Sequence, residues 1–234
     1  MELAGDQALE RSSVVANCQM NRQRMLRGPG GYGRELGVDP TDWLLACQAT
    51  FERARWLDLC CGSGQALIDA ATWFQYQGLA DTIEIVGVDL VGMFAPVTVK
   101  LQHLQRIVAS LTTWQPDRQF DLISCVHGWH YIGDKLGLLS RAASWLTAEG
   151  LLVGNLDLKN IQLANAANSQ RRVAAELRKH GFEYAARRKL VRCRGNRTLP
   201  VPWRYLGADD RAGPNYTGQP AVNSHYSDLM KPGE

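Results

Sequence analysis

The sequence predicts an α/β fold in which a doubly wound, mostly parallel sheet carries helices on both faces. Three observations support this prediction. Short apolar runs alternate with amphipathic stretches along the chain, as in repeated βαβ units. The run at residues 120–126 is largely apolar, which is typical of a strand buried on both faces of a parallel sheet. The 234 residues show no internal repeat, which excludes solenoids and propellers.

The elements of the central domain follow in order along the chain. Asp39 and Pro40 predict a helix start, because Asp is a good N-cap and Pro suits the first helical position. This helix is expected to end near Glu52. Alternating periodicity then predicts strand 55–59, helix 66–77, strand 82–88, strand 104–109, strand 120–126, helix 134–146 and strand 150–156.

The chain ends in a different pattern. A helix is predicted over 162–180, followed by an antiparallel hairpin whose strands, 183–193 and 198–206, flank a turn at 194–197. An amphipathic helix is also predicted over 9–26, before the glycine-rich break at 28–31. We therefore divide the chain into an N-terminal helical lid, a central domain and a polar C-terminal extension, with bounds 1–38, 39–206 and 207–234.

The C-terminal extension has no periodicity and is rich in Gly, Pro, Asn, Asp and Tyr. It is either a lid or a loose tail. Its polar and aromatic residues suggest contact with a substrate, although a surface loop docked on the sheet is the alternative. The residues concerned are Tyr205, Asp209, Asp210, Arg211, Asn215, Tyr216, Asn223, His225 and Tyr226.

Composition indicates a soluble globular protein. Hydrophobic residues make up 45% and charged residues 21%, and no apolar run approaches the roughly 20 residues that span a bilayer. The first residues carry acidic groups where a signal peptide has a basic region. Six scattered cysteines without a CxxC motif argue against a disulfide framework or a zinc ribbon. We expect a cytoplasmic protein with reduced thiols and no membrane contact.

The positive charge is concentrated in one part of the chain. The net charge is +3, and residues 171–211 hold twelve Lys and Arg against four acidic residues. Such a region can bind a polyanion such as RNA. It can equally be the solvated faces of a helix and a hairpin, which is the interpretation we favour.

A turn of small residues follows the first predicted strand at 56–64. Its glycines permit positive φ and leave room for a ligand against the main chain. The dinucleotide fingerprint GxGxxG fits poorly, because Cys60 and Leu67 stand at its first and last glycine positions when Gly62 is the middle one. Asp58 inside the strand suits a cationic ligand better than a phosphate, and the phosphate-binding GxxxxGK[ST] motif is absent.

A second carboxylate, Asp89, ends the strand at 82–88. It therefore lies at the carboxyl edge of the sheet, where open α/β folds bind ligands. A carboxylate at this position can accept hydrogen bonds from both hydroxyls of a ribose. The alternative is a structural role as the N-cap of a helix.

Together these motifs resemble the class I S-adenosylmethionine-dependent methyltransferases of the small-molecule type. The resemblance rests on an ordered series: Leu57 to Gly64, Val88-Asp89, Ala109 to Leu111, Phe120 to Ile123 and Leu146 to Gly154. It implies a seven-stranded Rossmann-like sheet that ends in an antiparallel pair, with S-adenosylmethionine as cofactor.

The resemblance also implies roles for single residues. Asp58 and the turn from Gly62 to Gly64 hold the methionine part of the cofactor, and Cys60 stands where the family usually has glycine. Asp89 binds the ribose. The remaining implied contacts are Leu90 and Leu111 on either side of the adenine, Ser110 at the adenine edge, the backbone around Val126 and His127 at the sulfonium, and Tyr32 in a segment that closes over the cofactor.

Two histidines follow the strand at 120–126 and are candidates for a catalytic base. His127 and His130 are able to accept a proton near neutral pH, which a hydroxyl or acid acceptor requires. Either residue can instead serve packing, through a backbone contact to the cofactor or a helix cap. No metal site is predicted, because no carboxylate or cysteine completes the pair.

The predicted function is methyl transfer to an O, N or C atom of a small organic acceptor. The alternatives are a nucleic-acid methyltransferase that uses residues 171–211, and a non-catalytic subunit that binds the cofactor. The first alternative lacks the Asn/Asp-Pro-Pro-Tyr/Phe tetrad after the fourth strand. The sequence leaves a homodimer open.

Overall fold

The computed structural model of the protein describes residues 3–16, 24–164 and 166–229. Within these ranges, none of the helices is long and apolar enough to cross a bilayer. The helices are α1 (Asp6–Glu10), α2 (Ser13–Ala16), α3 (Tyr32–Leu36), α4 (Pro40–Phe51), α5 (Gln65–Tyr76), α6 (Lys135–Ser144) and α7 (Ser169–Lys179). The strands are β1 (Ala54–Leu59), β2 (Ile83–Asp89), β3 (Leu104–Val108), β4 (Phe120–Cys125), β5 (Leu146–Asn155), β6 (Ile161–Leu163), β7 (Glu183–Ala185), β8 (Leu190–Arg194), β9 (Trp203–Asp209) and β10 (Asn223–Asp228).

Seven strands form one sheet in the order β3-β2-β1-β4-β5-β8-β7. The first five are parallel to their neighbours, whereas β8 is antiparallel to both β5 and β7. The predicted doubly wound, mostly parallel sheet is therefore confirmed. The strand order reverses beside β1, and open α/β sheets bind ligands in the crevice at such a reversal.

Local sequence explains the elements around this crevice. The side chain of Asp39 accepts a hydrogen bond from the Thr41 amide at 2.8 Å and so caps α4, with Pro40 as its first residue. Gly64 precedes α5 with a φ of 72°, a conformation that glycine adopts without steric cost. Every residue of β4 is buried, as the apolar run predicted.

The sheet carries a buried apolar layer on each face. Leu67 and Phe74 of α5 belong to one layer, and Leu139 of α6 and Val173 of α7 belong to the other. Helices on both faces thus hold the strands rigidly, so the loops at the carboxyl edge start from fixed positions.

The single helix predicted over 9–26 is wrong where the structure describes it. The chain instead forms two short helices, α1 and α2, and residues 24–31 are turns and bends. The predicted segment also includes residues 17–23, which lie outside the described residues. Ser12 explains the break, because its side chain and carbonyl both accept from the Val15 amide, the local bonding by which Ser competes with a continuous helix.

The prediction for the C-terminal third is partly wrong. Helix 162–180 is replaced by β6 and the shorter α7, because Asn168 caps α7 by accepting from the Arg171 amide. The antiparallel pair at the sheet edge is β7 with β8, so its turn lies at 186–189 and not at 194–197. β9 leaves that sheet and pairs with β10, which lies within the predicted tail.

A second, three-stranded sheet therefore follows, in the order β6-β10-β9. It includes residues on both sides of the predicted boundary at 206/207, because β9 runs through that position. Tyr226 of β10 connects this small sheet to the start of α6. Its hydroxyl accepts from the Leu136 amide at 3.0 Å and donates to Asp134 at 2.9 Å.

Candidate functional site

A cavity of about 880 Å³, including its open mouth, lies at the carboxyl edge of the large sheet. The loops after β1, β2, β3 and β4 line it, together with α1, α2 and a C-terminal loop. The lining residues include Asp6, Leu9, Glu10, Arg24, Cys60, Gly62, Asp89, Leu90, Leu111, Val126, His127, Gly128, Tyr131 and Gln219.

The turn after β1 has left-handed backbone at three positions. Gly62 and Gly64 have φ values of 60° and 72°, and Cys60 has 58°. Cys60 thus adopts the backbone conformation that glycine usually provides. A non-glycine residue in this conformation stores backbone strain. The pKa of the Cys60 thiol is raised well above its ordinary value, mainly by its hydrogen bond with Cys125 and secondly by burial. The thiol therefore stays protonated.

Asp58 lies beneath this turn and is fully buried. Its carboxyl oxygens accept from the Tyr32 hydroxyl at 2.7 Å and from the Ser124 hydroxyl at 2.5 Å. Burial raises the pKa of Asp58 to about 7 against these hydrogen bonds, which lower it. Asp58 and Tyr32 are thus partners, and neither lines the cavity.

Asp89 lies at the cavity wall at the end of β2. One carboxylate oxygen accepts from the Gly62 amide at 2.9 Å and the other from the Val91 amide at 3.0 Å. These bonds hold the carboxylate against the glycine turn. Leu90 and Leu111 add apolar side chains to the lining.

Ser110 is covered by the N-terminal segment. Its hydroxyl donates to Glu10 of α1 at 2.5 Å and also lies 2.6 Å from the Thr112 hydroxyl. The same segment is attached to β9, since the amide of Ala4 donates to the Ala208 carbonyl at 2.8 Å. Residues 3–16 therefore close one side of the cavity. The sequence does not reveal this contribution, because it depends on contacts between residues far apart in the chain.

His127 follows β4 and has a left-handed φ of 60°. Its amide donates to the side chain of Asn155 at 3.3 Å. The ring Nε2 lies 3.2 Å from Glu35, and Nδ1 lies 3.2 Å from the Tyr216 hydroxyl. The bond to His127 lowers the pKa of Glu35 from its ordinary value despite partial burial. The imidazole is therefore held from both sides at the cavity wall.

His130 lies behind His127 and is 1% exposed. The two rings stack with centroids 5.7 Å apart, and Tyr216 packs edge-on against His130 at 5.4 Å. Burial lowers the pKa of His130 to about 3, and the positive charges of nearby groups contribute. Its Nε2 has no hydrogen-bond partner among the described residues.

The loop at 210–222 carries Tyr216 to this pair of histidines. Asn215 shapes the loop by accepting from both the amide and the hydroxyl of Thr217. The Val222 amide donates to the His130 carbonyl at 2.8 Å, and the Tyr131 hydroxyl donates to Gln219 at 2.9 Å. The loop at 210–222, which belongs to the predicted extension, is thus a wall of the site.

The structure brings together most of the residues that the sequence singled out. Cys60, Gly62, Asp89, Leu90, Leu111, Val126 and His127 line the cavity, whereas Asp58, Gly64, Ser110, Tyr32 and His130 do not. Sequence reasoning missed Glu10, Glu35 and Gln219, which no local pattern distinguishes from surface residues. In the described ranges, no three His, Cys, Asp or Glu side chains cluster as around a metal ion.

Several basic residues of 171–211 bind groups within the protein. Arg188 donates to the Arg34 and Glu35 carbonyls, and Arg192 donates to the Leu36 carbonyl at 2.5 Å. Cationic side chains at the carboxyl end of a helix are favourable, so these arginines fix α3 beside β8. Arg172 pairs with Asp228 at 2.7 Å.

Comparison with known proteins decides the family. A family model described as a methyltransferase domain matches residues 32–198. The chain belongs to this methyltransferase family. With the seven-stranded sheet, this makes it a class I S-adenosylmethionine-dependent methyltransferase, and S-adenosylmethionine its cofactor, as the sequence resemblance implied.

Solved structures give fold neighbours at low identity. N-methyltransferase NodS from Bradyrhizobium japonicum WM9, in complex with S-adenosylhomocysteine, is 16% identical over 82% of this chain and 98% of NodS, with a TM-score of 0.44. Plantazolicin methyltransferase BpumL is 16% identical over 51% of this chain, with a TM-score of 0.40. The matched region spans 46% of BpumL. Among curated protein sequences, none matches.

Proposed function

We propose that the protein transfers a methyl group from S-adenosylmethionine to an O, N or C atom of a small organic acceptor. One observation carries the proposal: a single cavity joins the turn after β1, Asp89 and His127. When bound, S-adenosylmethionine would supply an electrophilic methyl group for the acceptor atom, with sulfur keeping the electron pair of the bond that breaks. The protein supplies orientation and removes a proton.

The cavity walls fit the cofactor. We propose that Asp89 accepts from the ribose hydroxyls, with Leu90 and Leu111 on the two faces of the adenine. The backbone of the Cys60 to Gly64 turn and of Val126 fits the methionine part. Asp58 and its partner Tyr32 do not line the cavity, so their proposed role is to support the turn at the end of β1. The segment at 3–16 is the proposed lid at the adenine edge, where its Glu10 accepts a hydrogen bond from Ser110.

His127, and not His130, is the proposed proton acceptor. His127 lines the cavity and has the Glu35 carboxylate at 3.2 Å to stabilise a positive charge on its ring. His130 is buried away from the cavity, and its pKa of about 3 keeps it neutral. Its role is to pack against the rings of His127 and Tyr216.

The other expectations from sequence keep the status of proposals. A cytoplasmic location agrees with the free thiols of Cys47, Cys60, Cys61, Cys125 and Cys193. Arg188 and Arg192 bind backbone carbonyls of α3, and this structural role is a point against the RNA alternative. A non-catalytic subunit would bind the cofactor equally well, so turnover must be measured.

Calorimetric titration with S-adenosylmethionine, S-adenosylhomocysteine and NAD is the first test. Saturable binding of both sulfur compounds without binding of NAD is expected. Methyl transfer is then measured with methyl-labelled S-adenosylmethionine and a panel of phenols, carboxylic acids and amines. Failure of both sulfur compounds to bind would refute the proposal, and binding without any transfer would favour the non-catalytic subunit.

The His127→Asn variant tests the proposed base. We expect a loss of about 100-fold or more in turnover with cofactor affinity kept, because a positioned base contributes roughly 10²–10⁴-fold. Lys159→Gln, an exposed change outside the cavity, is the control. Equal loss in both variants would show a general effect on the fold.

A further inference from the structure

The hydrogen bonds of His127 define which tautomer its ring adopts. An ionised carboxylate only accepts hydrogen bonds, so Glu35 requires a proton on Nε2 at the 3.2 Å contact. A neutral imidazole then accepts at its other nitrogen. Nδ1 therefore accepts the hydrogen bond at 3.2 Å from the Tyr216 hydroxyl. The three groups form a chain in which each hydroxyl or ring N–H points towards Glu35.

This arrangement leaves neither ring nitrogen of His127 free to receive a proton from outside the chain. The phenol oxygen of Tyr216 is the outer end, and it keeps lone pairs that can accept a proton. Tyr216 is 45% exposed, and its hydroxyl contacts the ring of His127, which lines the cavity. The exposed part of the phenol is accessible to an acceptor molecule beside the cavity wall at His127.

The surroundings keep each group in its required state. The bond to His127 lowers the pKa of Glu35, so the carboxylate stays charged, and Arg24 lies 3.7 Å from it. Burial, with the negative charges of Glu35 and Asp157, raises the pKa of Tyr216 above its ordinary value, so the phenol starts protonated. The ordered loop at 210–222 fixes the phenol in place.

We propose that Tyr216 is a catalytic residue that takes the proton from the methyl acceptor and passes its own proton to His127, with Glu35 as a positioning residue. The acceptor's bond to hydrogen breaks as a new O–H bond forms at Tyr216. The former phenol proton forms an N–H bond at Nδ1, and the resulting imidazolium faces the Glu35 carboxylate. This inference rests on the proposed function and adds a residue and a direction of proton transfer to it.

The first test reads the tautomer of His127 and needs no acceptor. Nitrogen-15 NMR of the full chain with S-adenosylhomocysteine is expected to show the proton on Nε2 in the wild type. In Tyr216→Phe the Nδ1 resonance is expected to move, because its hydrogen-bond donor is lost. Glu35→Gln, whose amide donates as well as accepts, is expected to release the preference for Nε2–H. A proton on Nδ1 in the wild type would overturn the proposal.

The second test uses methyl transfer to the phenols, acids and amines of the panel. Tyr216→Phe keeps the ring that packs on the histidines, and we expect it to lower kcat about 100-fold with KM and cofactor affinity changed less than about twofold. Tyr184→Phe is the matched control, since that hydroxyl donates to the Leu156 carbonyl at 3.1 Å. Unchanged kcat in Tyr216→Phe would show that His127 takes the proton directly.

Failure of this inference is distinguishable from failure of the proposed function. If S-adenosylhomocysteine does not bind to the protein, the proposed function itself is refuted. If the wild type binds the cofactor and turns over but carries the His127 proton on Nδ1, only the proposed proton transfer through Tyr216 is refuted. A fully active Tyr216→Phe variant would have the same meaning.

Discussion

The buried carboxyl of Asp58 makes a prediction about the pH dependence of stability. Burial raises its pKa from 3.8 to about 7 in the folded protein, so the folded chain keeps a proton that the unfolded chain releases. The contribution of Asp58 to the free energy of unfolding is therefore complete in acid and is lost as the pH rises through this range. At about 1.4 kcal/mol per pH unit, a shift of about three units removes about 4 kcal/mol.

Asp58→Asn isolates this effect because asparagine does not ionise. We expect the stability of the variant relative to wild type to increase by about 4 kcal/mol between about pH 4 and pH 7.5. Burial lowers the pKa of His130 to about 3, so His130 opposes Asp58 over the same range. Both proteins contain His130, and its effect cancels in the difference. Urea unfolding followed by tryptophan fluorescence measures the two free energies.

The control is an exposed carboxylate with the opposite shift. The hydrogen bond from Arg118 lowers the pKa of Asp117, so Asp117→Asn should not gain relative stability as the pH rises. Parallel profiles for wild type and Asp58→Asn, within about 0.5 kcal/mol, would refute the reasoning. They would mean that Asp58 keeps its ordinary pKa.

Three further changes test the site and its supports. Asp89→Ala should weaken S-adenosylhomocysteine binding at least about tenfold by calorimetry, because the ribose loses an acceptor worth about 1.5 kcal/mol or more. Gly128→Ala should lower both cofactor affinity and the free energy of unfolding, the latter by about 1–3 kcal/mol, because a Cβ there would lie 2.8 Å from the sulfurs of Cys60 and Cys125. Lys135→Met should lower the free energy of unfolding by about 3 kcal/mol in urea titrations, because buried acceptors on Ile132, Val222 and Ser224 would lose their donor.

Tyr76→Phe serves as a common control, since Tyr76 is 84% exposed and should behave as wild type in each assay. Wild-type binding by Asp89→Ala would contradict the proposed ribose contact. An unchanged unfolding free energy in Gly128→Ala or Lys135→Met would show that the surroundings adapt to the new side chain.

Local signals were sufficient to predict the five parallel strands of the large sheet. β4 is buried on both faces and its sequence is apolar, and α4 begins at a cap with proline, so pattern and environment agree. The turn at Cys60 to Gly64 and Asp89 were found because a run of small residues and a carboxylate at a strand end are themselves local patterns. These elements share one property, which is that neighbours within a few residues determine them.

The remainder depends on partners far along the chain. β6 has only three residues and β10 is rich in polar residues, and they are strands because β10 pairs with both β6 and β9. Glu35 is an ordinary helical glutamate until His127, 92 residues later, meets it at 3.2 Å. The periodicity of a sequence reports local structure and not contacts between distant residues. The second sheet and the closed side of the site could therefore not be predicted.

The walls of the cavity have a consequence for the order of folding. Glu10 meets Ser110 across 100 residues, Asp6 meets Tyr205 across 199, and Tyr216 meets His127 across 89. Closing such long loops costs conformational entropy before any contact offsets it. We therefore expect the central sheet to assemble first and the walls last. Residues 3–16 and the loop at 210–222 should then be the earliest sites of protease cleavage, and a bound cofactor should protect both at once.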